Sequence, residues 1–154
     1  MRRTWFVVAH RSGTRIFEPD AETRALGLVL QLDHPAGRKK ATDFDSDRSG
    51  MAFSSMGGGG GHRMSAVENA HEHAARSFAR SVADALRKGR IERQYDGLVL
   101  VAEARFLGML REALDGPTAQ KVDATVDKDL AKLSVHELPR HLTAVLGPVP
   151  SRRQ

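Results

Sequence analysis

The pattern of apolar and polar positions along the chain predicts its elements before any other property is considered. Thr4–Ala9 is a β-branched and aromatic run and reads as a strand. Arg11-Ser12-Gly13 is turn chemistry, and Thr14–Glu18 is a second strand stopped by Pro19. Leu28–Leu32 alternates less cleanly and predicts a third strand ending before Pro35. Connections this short imply an antiparallel meander. The pattern then breaks over 35–64, a stretch without periodicity that ends in the run Gly57–Gly61. Uninterrupted loops of this length are unusual inside a compact domain and are often functional, so a long flexible loop is expected there.

Beyond the loop, Ser65-Ala66-Val67-Glu68 has the form of a capping box and predicts the start of a long helix. Val67, Ala70, Ala74, Phe78, Val82 and Leu86 recur at helical spacing as its buried stripe. Arg76, Arg80 and Arg87 share the outer face, Glu72 can pair with Arg76 four residues later, and Gly89 is expected to begin the exit. Leu98–Ala102 is continuously apolar, as in a central strand covered on both faces, and a crossover helix before it implies parallel pairing. Arg105–Leu114 predicts a short helix ended by Asp115-Gly116-Pro117, and Val122–Val126 the last strand. Ser134-Val135-His136-Glu137 is a second capping box, opening a helix to Leu146 in which Pro139 is expected to cost an intrahelical bond. The order β-β-β-α-β-α-β-α predicts an α/β domain over 1–147. It has a five-stranded mixed sheet, helices on both faces and a loose tail at 148–154.

Composition changes this picture in three ways. Lys and Arg number 24 against 19 Asp and Glu, a formal charge of +5, which favours polyanionic partners. There is no cysteine, which excludes disulfide scaffolds, thiolate metal sites and cysteine nucleophiles. Aromatic residues are 5%, too few to favour stacking platforms for bases. The apolar stretch after Met1-Arg2-Arg3 is too short for a signal-peptide core, and no run approaches the roughly 20 residues of a membrane span. A soluble cytoplasmic protein with no membrane partner is expected.

Several tempting chemistries fail on spacing. Asp43-Phe44-Asp45-Ser46-Asp47 opens like a calcium loop, but Arg48 stands where Gly is required and Ser54 where Glu is required. In His71-Glu72-His73 the two imidazoles point about 200° apart on a helix and cannot share an ion. Glu68 and His71 have Glu-x-x-His spacing, but a carboxylate-bridged di-iron site needs two such pairs. Neither a nucleophile elbow nor a Walker loop is present. Glu103, Asp127 and Asp129 fall just past the parallel strands, yet the first strand lacks the carboxylate that two-metal cleavage usually draws on. No metal or cofactor is expected. The basic residues Arg38, Lys39, Lys40, Arg48, Arg63, Arg76, Arg80 and Arg87 form a phosphate-contacting stripe if the loop folds beside the helix.

Leu98-Val-Leu-Val-Ala, Arg105-Phe-Leu-Gly, Asp127-Lys-Asp-Leu, Leu133-Ser-Val-His-Glu-Leu138 and His141-Leu142 together resemble the bacterial host attachment family, the protein required for attachment to host cells. Ala9 to Phe17 and the loop ending in Gly57–Gly61-His62 match as well, so the resemblance covers roughly residues 4–146. That family is similar to the middle domain of archaeal and eukaryotic peptide-chain release factors. There, a long loop carries Gly-Gly-Gln into the peptidyl-transferase centre. The resemblance implies an RNase H-like, translation-component fold and an RNA- or ribosome-binding role, with an indirect effect on attachment. Gly57, Gly58, Gly59, Gly60, Gly61, His62, Arg63, Arg76 and Arg80 are the implied nucleic-acid contacts. The chain departs from release factors in having His62 after the glycines and no Gln between Gln31 and Gln94. The water-positioning residue is therefore missing, and a second reading is a peptidyl-tRNA hydrolase that uses His62 in its place. A third reading is a protein-interaction module using residues 35–64.

Overall fold

A computed structural model describes residues 2–34 and 60–146, with side chains from 66 onward in the second stretch. The elements are β1 (Thr4–His10), β2 (Gly13–Pro19), β3 (Leu26–Asp33), α1 (Gly60–Ile91), β4 (Gly97–Ala102), α2 (Ala104–Ala113), α3 (Gly116–Ala119), β5 (Val122–Asp127) and α4 (Leu138–Leu146). They build one sheet in the order β3-β2-β1-β4-β5. β1–β2 and β2–β3 pair antiparallel, while β1–β4 and β4–β5 pair parallel. This is the expected mixed sheet, because only the short connections before β3 lack a crossover helix.

The two faces of β1 separate the core into two layers. Trp5, Val7 and Ala9 point to the side of α1 and α2, with Leu98, Leu100 and Ala102 of β4. Phe6 and Val8 point to the side of α4, with Val99, Val101 and the α4 residues Leu138 and Leu142. All of β4 is buried, which is why its sequence shows no alternation. In β3 the register shifts opposite Ile16/Phe17, where Leu30 and Leu28 are the partners and Val29 is the extra residue. That bulge turns Leu30 and Leu32 toward α1 and α2 but Leu26 toward α4. It explains why a strand rich in alternating leucines does not present one apolar face.

Four boundaries differ from the sequence reading. The helix α1 starts at Gly60, so Ser65 lies inside it instead of capping it, and 60–64 are helical. Gly89 does not begin the exit but sits in the helix, where an added Cβ would stand 2.9 Å from the Trp5 ring and 3.1 Å from Tyr95. Glycine here permits close approach of helix to sheet. The helix ends two residues later, with Arg93 at φ 58°. There the Arg93 amide donates to Arg90 O and the Gln94 amide to Gly89 O, a Schellman closure without glycine. Asp115-Gly116-Pro117 both ends α2 and opens α3, since Pro in the first turn lacks only an amide that has no intrahelical partner. For the same reason Pro139, the second residue of α4, is harmless. The Ser134 box does form: the Ser134 amide donates to Glu137 Oε1 at 2.9 Å and the Glu137 amide to Ser134 Oγ at 3.2 Å, one turn ahead of α4. The stretch 35–59 and the tail 147–154 lie outside the described residues.

Tyr95, the single tyrosine, is 3% exposed and donates its hydroxyl to Leu86 O at 2.6 Å. Burial is the main cause that pushes its phenol up to about 12. Absorbance at 295 nm should therefore show titration near pH 12 and not near the ordinary value of about 10. Because the folded pKa is raised, this contribution to stability is complete below about pH 10 and is lost as pH rises toward 12. A phenol that ionised near pH 10 in the folded protein would contradict the burial of Tyr95.

Candidate functional site

Outside the carboxyl ends of β1, β4 and β5 the chain forms a cleft of about 660 Å³. Parallel strands leave such a crevice where their connecting loops diverge, and α/β proteins commonly bind ligands there. β1 contributes His10 and the turn after it Arg11, α1 contributes Glu68, Asn69, His71 and Glu72, the start of α2 contributes Glu103 and Arg105, and the loop after β5 contributes Asp129.

Hydrogen bonding fixes most of these groups. His10 Nδ1 accepts from the Ser12 amide at 3.0 Å and lies 2.7 Å from Ser12 Oγ, so the neutral ring carries its proton on Nε2. That nitrogen faces Asp129 Oδ2 at 3.9 Å. Asp129 Oδ1 accepts from the Ala131 amide at 3.2 Å. Glu103 is the N-cap of α2, accepting from the amides of Arg105 at 3.0 Å and Phe106 at 2.8 Å. Glu72 receives Arg76 on one oxygen at 3.2 Å and Arg105 on the other at 3.0 Å, while Arg76 also reaches Glu112 at 3.3 Å. This chain of charges ties α1 to α2. The Arg76 hydrogen bond, then the Arg105 charge, holds the Glu72 carboxyl below its usual range. Burial, then the Arg11 charge, lowers the His71 pKa and so favours the neutral imidazole. No described residue pairs with the Arg11 guanidinium.

The loop bearing Asp129 is pinned from the sheet. Arg15 on β2 donates from one guanidinium nitrogen to Ala131 O and Leu133 O, both at 2.8 Å, and lies 5.3 Å over the Phe17 ring. Truncating it leaves two carbonyls without their cationic donor. Arg15→Ala should cost about 2 kcal/mol in chemical unfolding, the worth of hydrogen bonds to a charged group. A loss below about 0.5 kcal/mol would mean the loop holds itself.

Of the residues singled out by sequence, Glu103 and Asp129 meet in the cleft, as do Glu68, His71 and Glu72 of the rejected metal spacings, and Asp127 does not line it. Arg76 stands on the outer face of α1, engaged by two glutamates, and Arg80 and Arg87 are exposed on the same helix. Gly60, Gly61, His62 and Arg63 form the first turn of α1, and their side chains lie outside the described set, as do Gly57, Gly58 and Gly59. Arg38, Lys39, Lys40, Arg48 and the Asp43–Asp47 run also lie outside it. Among the described residues no group of three His, Cys, Asp or Glu side chains is placed to hold a metal ion. No helix among them is long and apolar enough to cross a membrane. The sequence marks Arg11 only as part of a turn and does not single out His10. Their only signal is position, immediately after a strand that pairs in parallel with another.

The fold and site thus define an α/β protein with a three-layer architecture and a polar cleft at its parallel-strand ends. The chain belongs to the family described as protein required for attachment to host cells, whose pattern matches residues 5–142. No curated protein matches the chain.

Proposed function

We propose that this protein is an RNA- or ribosome-binding module of RNase H-like architecture, related in design to a release-factor middle domain and acting on host attachment indirectly. The observation that carries the reading is the placement of α1. Gly89 packs on Trp5 at the start of β1, and His71 lines the cleft beyond its end. The helix begins at Gly60, about 16 Å further on at 1.5 Å per residue. An arm that starts within a glycine run and overhangs the sheet is suited to reaching into a groove of RNA. A net charge of +5 would steer it there. The lack of a Gln near the glycines weighs against hydrolysis.

The test is fluorescence anisotropy with a labelled RNA hairpin over a salt series. Binding should weaken linearly in log–log form, with a slope of about −0.9 per duplex phosphate contacted. No binding at about 50 mM salt, where ionic contacts are strongest, would overturn the reading.

A further inference from the structure

The cleft has a polarity of its own once its internal pairs are set aside. Glu72 and Arg105 neutralise each other, and both oxygens of Glu103 are engaged by the amides of α2. Among the described residues, what remains is one cation, Arg11, beside His71, and one carboxylate, Asp129, beside His10. Glu68 and Asn69 on α1 add a second carboxylate and an amide without partners among the described residues. Arg11 offers a planar set of donors suited to a phosphate. Asp129 and Glu68 accept hydrogen bonds only, and suit hydroxyls, as an acidic residue does for a ribose in dinucleotide sites. The volume of about 660 Å³ is within the range of small-ligand pockets.

We infer that this cleft binds a ribose phosphate, with Arg11 on the phosphate and Asp129 on a ribose hydroxyl. The choice of ligand rests on the RNA reading, which it deepens. The sugar phosphate could be one nucleotide of an RNA chain, placed beside the α1 arm, or a free nucleotide. The recognition chemistry is the same for both. The carboxylate excess among the described residues disfavours a bare anion, which could use Arg11 but would gain nothing from Asp129 or Glu68.

The experiment is a calorimetric titration of the full chain with adenosine 5′-monophosphate, its 2′-deoxy analogue and inorganic phosphate, run beside the RNA hairpin. Arg11 has no described side-chain bond, so Arg11→Ala should leave the fold intact, which circular dichroism checks. The ribonucleotide should bind about tenfold tighter than either of the other two. Arg11→Ala should lower its affinity about tenfold, and Asp129→Asn should reduce the preference for ribose. If the hairpin also binds more weakly to Arg11→Ala, the occupant is a nucleotide of RNA. If the nucleotide binds and the hairpin does not, the cleft inference stands with a free nucleotide as ligand and the RNA reading fails. If the hairpin binds both proteins equally and the nucleotide binds neither, the cleft inference is overturned and the RNA reading survives. Equal binding of ribose, deoxyribose and phosphate forms would also overturn it.

Discussion

Trp5→Ala should destabilise the fold by about 4 kcal/mol, within the range for truncating a buried aromatic. The indole is 2% exposed and lies 4.7 Å from the Tyr95 ring at 41°. Gly89 of α1 rests directly on it, and its Nε1 donates to Glu18 Oε1 at 3.1 Å. The substitution would open a cavity between β1, α1 and the loop into β4. It would also leave Glu18 with Arg3 alone, which donates to it at 3.0 and 3.1 Å. Single domains typically have about 5–15 kcal/mol in total, so much of the margin would go. Urea unfolding followed by circular dichroism measures it. A loss under about 1.5 kcal/mol would show that α1 closes onto the sheet without the indole.

Reversing charge on the outer face of α1 should have the largest effect on binding. Arg80→Glu combined with Arg76→Glu should weaken hairpin binding by more than tenfold at about 50 mM salt and reduce the salt slope by roughly 1. The two sites are not equivalent. Arg80 has no partner among the described residues, whereas Arg76 is engaged by Glu72 and Glu112, so its guanidinium is partly neutralised in advance. Most of the effect is therefore expected from Arg80→Glu alone. The double variant also places Glu at position 76 four residues after Glu72, a repulsive spacing, and its melting temperature must be compared with the parent. Unchanged RNA affinity in a folded double variant would remove this face from the interface and favour a protein partner.

The sheet was legible because each strand announces itself by composition. The buried run of β4 and the tight turn after β1 fix both the parallel and the antiparallel neighbours of β1. Ends of helices were harder. A capping box at Ser65 is a local preference worth about 1 kcal/mol, and the structure extends the helix through it to Gly60. The Ser134 box has the same sequence logic and forms, but one turn ahead of α4. Gly89 resembles a helix stop in the sequence because a glycine that ends a helix and one that admits a neighbouring ring look alike until Trp5 is in place. The cleft was legible only in part. Glu103 and Asp129 were marked by lying past parallel strands, but His10, Arg11 and His71 come together only through the pairing of β1 with β4 and the packing of α1. The pairing of Glu72 with Arg76 was written in their spacing. Its extension to Arg105 joins residues 33 apart and needs the fold.

The most direct measurement is co-sedimentation of the purified protein with ribosomes at low salt, beside a variant lacking Gly57–Gly61. The account predicts saturable binding that falls with added salt and is lost in the deletion. Absence of binding to ribosomes, or equal binding by both proteins, would contradict the claim that the glycine-tipped arm of α1 is the part that engages them.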